Sequence, residues 1–136
     1  WDGYCSTHDK LTPQEVLKAR AEHPEALVLV HPECRPEVVA LADSVSSTSG
    51  IIRFARESGA DEFIIGTEAG ILHQLHKQCP DKKFYMASNK LVCPNMKKTT
   101  LDKVRSALMN LEPRVTVTDE IRTRAIHCLE RMLEVT

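Results

Sequence analysis

Two short apolar runs, Val28-Leu29-Val30 and Phe63-Ile64-Ile65, each end abruptly in a turn that opens into a helix-starting sequence. Runs of this length, rich in β-branched residues, suit strands covered on both faces rather than helices. Helix signals separate them. Thr12-Pro13-Gln14-Glu15 is a capping box with proline at the first helical position and predicts a helix over 13–22, followed by a strand over 26–30. Arg35-Pro36-Glu37 starts a second helix running to about 43, and 44–46 is a short strand. Thr48-Ser49-Gly50 opens a third helix through Glu57, with Gly59 as its C-cap. After the strand at 62–65, Gly66-Thr67-Glu68 turns into a helix ending near Gln78, and 83–87 forms another strand. Such alternation predicts an α/β fold, a three-layer αβα arrangement with a short, mostly parallel sheet. The pattern changes after Cys93: 100–111 is helical, 115–117 extended, and 118–135 a long helix with Thr118 as N-cap. The sheet is thus followed by two C-terminal helices.

Composition narrows the function classes. With 136 residues, 42% of them hydrophobic, the chain has enough apolar material for a core. A net charge of −1, from 18 basic and 19 acidic residues, offers no footprint for nucleic acid or an anionic membrane. No long apolar span exists to enter a bilayer. The first residue is Trp, and no signal-peptide pattern is present, so the expectation is a piece of a cytoplasmic protein.

In open α/β sheets, ligands sit beyond the carboxyl ends of strands, and His31-Pro32-Glu33 leaves the first apolar run there. Pro32 biases His31 toward extended backbone, presenting an imidazole and a carboxylate from a stiff shoulder. The alternative is a loop histidine beside a solvated glutamate, since His-x-Glu is a short pattern. Ser47-Thr48-Ser49-Gly50 lies at a helix start, where N–H groups and hydroxyls suit a carboxylate or phosphate, although serine and threonine are also ordinary caps. In Gly66-Thr67-Glu68-Ala69-Gly70, Gly66 is expected to permit a tight reversal and Gly70 close helix packing, a mainly structural turn. His73 and His76 have no thiol or carboxylate at metal-ligand spacing. The five cysteines, at 5, 34, 79, 93 and 128, are too widely and unevenly spaced for a disulfide framework or zinc finger. Cys79 and Cys128 are expected to pack within or beside helices, whereas Cys5 and Cys93 fall in loops able to reach a shared metal centre.

Five stretches carry a resemblance. They are Trp1-x-Gly3-x-Cys5-x-x-His8, Val30-His31-Pro32-Glu33-Cys34, Ser46-Ser47-Thr48-Ser49-Gly50-Ile51-Ile52, Phe63-Ile64-Ile65-Gly66-Thr67-Glu68-x-Gly70-Ile71-Leu72-His73, and Cys93-Pro94-Asn95-Met96-Lys97-Lys98-Thr99-Thr100-Leu101. In this order and near these spacings they resemble the quinolinate synthase family, iron-sulfur enzymes of NAD biosynthesis. The likeness covers essentially the whole chain but only the C-terminal part of the family's length. It implies that residues 1–90 are the third of three similar αβα domains, and that 91–136 form a cluster-cysteine loop and a helical tail. It further implies a [4Fe-4S] cluster held by three cysteines, of which Cys5 and Cys93 match the second and third while the first is absent from this chain. His31, Pro32, Glu33, Thr48 and Ser47 match substrate-contacting positions, with Glu33 as acid-base group and His31 as hydrogen-bond donor. Glu68 lies near the family's cavity.

The resemblance implies an enzyme that condenses iminoaspartate with dihydroxyacetone phosphate to quinolinate, the cluster acting as Lewis acid. The expectation for the 136 residues alone is inactivity, with the closing helices able to mediate a homo-oligomer. Ser6 and Thr7 stand where Pro-Val is common and Asp9 where Glu is usual, so no role is assigned to His8. The competing expectation is a noncatalytic α/β module that binds a small anion at Thr48.

Overall fold

A computed structural model describes residues 3–135, in two units that meet after Pro94. In the first unit, helix α1 (Pro13–Glu22) precedes β1 (Leu27–Val30), α2 (Pro36–Val39), β2 (Ser44–Val45), α3 (Thr48–Glu57), β3 (Glu62–Gly66), α4 (Ile71–Gln78) and β4 (Lys83–Met86). The strands form one parallel sheet in the order β2-β1-β3-β4. Leu29 lies opposite both Ser44 and Ile65, so β1 and β3 make the centre of the sheet.

Alternation along the central strands builds the layers. Val28, Val30 and Ile64 join Val16 and Ala19 of α1 and Val38 of α2 in one apolar cluster. Leu29, Phe63 and Ile65 join Ile51 and Ala55 of α3 and Ile71 and Leu75 of α4 in the other. All six strand residues are fully buried. Each side chain of this kind stabilises the fold by about 1.5–3 kcal/mol, and a one-residue slip of register would send every one to the wrong layer.

Local signals set most boundaries. The capping box of α1 forms: Thr12 N–H donates to Glu15 Oε2 at 3.0 Å, and Glu15 N–H to Thr12 Oγ1 at 3.4 Å. Three expectations need correction. Helix α2 ends at Val39 rather than 43, because Arg20 holds the Leu41 carbonyl at 3.0 Å and the Asp43 carboxylate takes the Val28 N–H at 2.7 Å, drawing the chain out toward β2. Gly59 does not close α3: Ser58 is the C-cap, no described glycine has positive φ, and Lys82 Nζ donates to the Ala55 and Ser58 carbonyls at 2.8 and 2.6 Å. Gly66 does not reverse the chain either. It lies within β3, where an added Cβ would come within 2.7 Å of Val30 Cγ1, so its lack of a side chain serves close packing.

The second unit holds α5 (Leu101–Asn110) and α6 (Asp119–Leu133). Thr100 caps α5 by accepting the Lys103 N–H, and Leu111 closes it in the left-handed conformation. Thr118 precedes α6 without a side-chain cap bond. Neither helix buries a residue, and Cys128, expected to pack, is exposed. No helix among the described residues is long and apolar enough to cross a membrane.

Candidate functional site

Strand order reverses between β1 and β3: the chain moves outward from β1 to β2 through α2 on one face, and from β3 to β4 through α4 on the other. Connections diverging to opposite faces leave a crevice at the carboxyl ends of these two strands. His31 follows β1 there and donates its N–H to the Gly66 carbonyl of β3 at 3.2 Å. Glu33, two residues beyond His31, and Thr67, directly after Gly66, converge on one imidazole.

That imidazole belongs to His8, in a short 3-10 turn (His8–Lys10) ahead of α1. The segment is pinned twice. Leu11 is fully buried in the core, and Asp9 accepts both Arg35 Nε and Nη2, at 3.0 and 3.2 Å, which ties the turn to the loop after β1. His8 Nδ1 lies 3.1 Å from Glu33 Oε2, and Nε2 lies 2.9 Å from Thr67 Oγ1. An ionised carboxylate only accepts, so His8 Nδ1 donates to Glu33 Oε2, and in the tautomer with its proton on Nδ1 the other nitrogen, Nε2, accepts from the Thr67 hydroxyl. His8 and Thr67 are buried, whereas the Glu33 side chain is 54% exposed.

His31 stacks on His8 with ring centroids 4.3 Å apart and planes 5° from parallel. Burial, then the neighbouring His8, hold the His31 pKa below the ordinary imidazole value against the opposing pull of Glu33. Glu33 N–H donates to His31 Nδ1 at 3.2 Å, so the 3.5 Å approach of that nitrogen to Glu33 Oε2 is not an ion pair. With Nδ1 accepting, neutral His31 carries its proton on Nε2, in the donor form.

Cys5 Sγ completes this group, since one ligating atom each from Cys5, His8 and Glu33 lie within 4.8 Å of one another. Asp9 N–H bonds the Cys5 carbonyl at 3.0 Å and fixes the spacing. Cys93 reaches the same edge of the sheet through the turn after β3. Buried Glu68 accepts the Gly70 N–H at 2.7 Å and the Cys93 N–H at 3.2 Å, and Ala69 N–H donates to the Leu91 carbonyl at 2.8 Å. Cys34 differs from both loop cysteines. Burial pushes its thiol pKa up to about 11, and Sγ donates to the Gly66 carbonyl at 3.3 Å, leaving a protonated packing residue.

Cys5, His31 and Glu33 are thus together, with Cys93 joined to them through Glu68 and Thr67. Ser47 and Thr48 open α3 beside this edge, since Ser46 N–H bonds the Val30 carbonyl at 3.1 Å. Ser47 Oγ accepts the Gly50 N–H at 3.3 Å, the ordinary work of a cap, and Thr48 is exposed. Sequence reasoning passed over His8 and Thr67, the centre of the network. The available signal was a polar residue directly after each pinned element, His8 three residues past Cys5 and Thr67 next to Gly66.

The family model described as "Quinolinate synthetase A protein" matches residues 1–134. The chain belongs to that family. It is 59% identical over 133 residues to the quinolinate synthase of Desulforudis audaxviator and 58% identical over 133 to that of Methanoregula boonei. The protein of the same name from Geotalea uraniireducens is 52% identical over 135 residues. These alignments cover 98–99% of this chain and 44% of each relative, so the chain spans less than half the length of the curated relatives it matches.

Proposed function

We propose that this chain is the C-terminal portion of a quinolinate synthase of NAD biosynthesis, supplying one wall of the active site and two of three cysteines for a [4Fe-4S] cluster. The observation that carries this is the gathering of Cys5, His8, His31 and Glu33 at the β1/β3 crevice, with Cys93 tied to the same edge by Glu68. Two half-buried loop thiols form a donor set of the soft kind that iron-sulfur centres select, whereas Cys34, held protonated, does not. When bound, such a cluster supplies an electron-poor iron that polarises a substrate oxygen for dehydration.

The reaction proposed is condensation of iminoaspartate with dihydroxyacetone phosphate to quinolinate, with loss of phosphate and water. The residues of this chain have separate tasks in it. His31, neutral with its proton on Nε2, donates to a substrate carboxylate. Glu33, bonded to His8 and open to solvent, takes and returns a proton during ring closure. His8 positions that carboxylate and is itself held by Thr67. Thr48 and Ser47, at the start of α3, offer hydroxyls to the substrate's second carboxylate. A reaction needing the remaining cysteine and wall does not proceed on these 136 residues alone. We also propose a homo-oligomer formed through α5 and α6, whose exposed Leu108, Met109, Ile121 and Leu129 need a covering surface; a monomeric mass by light scattering contradicts it.

The test uses a chain of the relatives' full length carrying these residues, reconstituted anaerobically with iron and sulfide. Cys5→Ala and Cys93→Ala each abolish the brown cluster absorbance and quinolinate formation. Glu33→Gln keeps the absorbance and lowers turnover about 100-fold or more. Undiminished absorbance and turnover in both cysteine variants refute the reading. A colourless protein that still binds a dicarboxylate favours the anion-binding module instead.

A further inference from the structure

The turn after β3 is joined to the loop after β4 by two hydrogen bonds that run in opposite directions. Ala69 N–H donates to the Leu91 carbonyl at 2.8 Å, and Cys93 N–H donates back to Glu68 Oε1 at 3.2 Å. The other oxygen of that carboxylate, Oε2, accepts the Gly70 N–H at 2.7 Å. We propose that Glu68 is a positioning residue: its carboxylate presets the backbone at Cys93 and thereby governs how firmly a metal centre on that cysteine is retained. The purpose rests on the cluster reading, whereas the geometry does not.

Local needs alone do not account for Glu68. Closing the turn ahead of α4 takes one acceptor, for the Gly70 N–H, and a small polar side chain ordinarily supplies it. Glu68 instead extends its second oxygen to a residue 25 positions further on. It does so from a buried place, where an ionic group is destabilising unless its oxygens are paired. Two charge-assisted bonds from backbone N–H groups answer that demand. Glutamine has the same size but cannot do the same work, because its amide keeps one acceptor oxygen and turns an NH2 toward the other N–H.

The rest of the loop completes the hold. Leu91, two residues before the cysteine, is fully buried in the cluster that contains Val30, Val38 and Ala87. Pro94, directly after it, biases Cys93 toward extended backbone. The chain is therefore fixed before, at and after Cys93, and only the middle attachment depends on a side chain from another element. Outer partners that orient a ligating residue in this way commonly decide how long a metal stays bound.

Amide hydrogen exchange, followed by NMR on the reduced 136-residue chain with no metal added, tests the preset directly. In the parent, the Cys93 N–H is expected to exchange at least about 10-fold more slowly than in an unstructured peptide. Glu68→Gln speeds it by about 10-fold or more beyond any change at Ile64 of β3, which reports general stability. If the glutamine variant does not fold, Glu68→Asp, one methylene too short to reach both N–H groups, is read in the same way. An unprotected Cys93 N–H in the parent overturns the proposal without any variant. So does a change at Cys93 no larger than that at Ile64, which marks a merely structural role.

The consequence for a metal centre is read in a chain of the relatives' full length, reconstituted anaerobically with iron and sulfide. Glu68→Gln still develops the brown absorbance but loses it to a chelator about 10-fold faster or more. Loss at the parent's rate overturns the proposal. A parent that forms no cluster refutes the cluster reading instead, and the exchange rate at Cys93 then decides the role of Glu68 by itself.

Discussion

Substituting Glu15 by Gln tests how the segment leading to Cys93 is held to the sheet. Glu15 Oε2 accepts the Thr12 N–H at 3.0 Å and the Thr12 hydroxyl at 2.9 Å, while Oε1 accepts the Ser88 hydroxyl at 2.8 Å and pairs with Lys90 Nζ at 3.0 Å. Burial alone would raise this carboxyl, but the bonds from Ser88, Lys90 and Thr12 outweigh it and bring the pKa from 4.5 down to about 2. At about 1.36 kcal/mol per pKa unit, that difference is at most roughly 3 kcal/mol. The Lys90 side chain is 58% exposed and its share is screened by solvent and salt, which leaves about 2 kcal/mol. The sign follows from the lowered value. The stabilisation is fully present above the unfolded pKa near 4.5 and is lost as pH falls from there toward 2, as the folded carboxyl takes up its proton. At pH 7, Glu15→Gln is expected to unfold about 2 kcal/mol more easily in urea, lowering Tm by about 8 °C or more. Other carboxylates titrate in both proteins, so the difference between parent and variant isolates Glu15, and more than half of that gap should close by pH 3. A gap at pH 7 below about 0.5 kcal/mol, or one unchanged down to pH 3, refutes the reasoning.

Two further outcomes test the core and the thiols. Gly66→Ala places a Cβ within 2.7 Å of Val30 Cγ1 and 3.2 Å of Leu11 Cδ2, and is expected to cost about 1–3 kcal/mol in urea unfolding; an unchanged midpoint shows that β1 and β3 have slack there. In native-state alkylation at pH 8 followed by mass spectrometry, exposed Cys128 labels first and Cys34, buried with its pKa near 11, labels last, so early modification of Cys34 contradicts its assignment as a packed, protonated thiol.

Local chemistry made much of the fold legible. The capping box at Thr12 and the cap at Ser47 started α1 and α3 where the residues alone place them, because a cap acts within one helical turn. The apolar runs at 28–30 and 63–65 implied strands covered on both faces, and both central strands are so buried. Gly66 was misjudged for the complementary reason. Glycine signals backbone freedom in sequence, but here it answers Val30, 36 positions earlier, which only strand pairing brings alongside.

By itself, the chain's sequence determined the α/β class, the family likeness and the chemical groups at the ends of its strands, since these depend on residue type, period and local capping. Tertiary structure alone decided that His8 links Glu33 to Thr67, residues 25 and 59 positions away from it, and that Glu68 holds the backbone of Cys93. Side chains so far apart in the chain meet only when parallel strands align their carboxyl ends, and sheet register, a property of no single segment, sets which of them face one another.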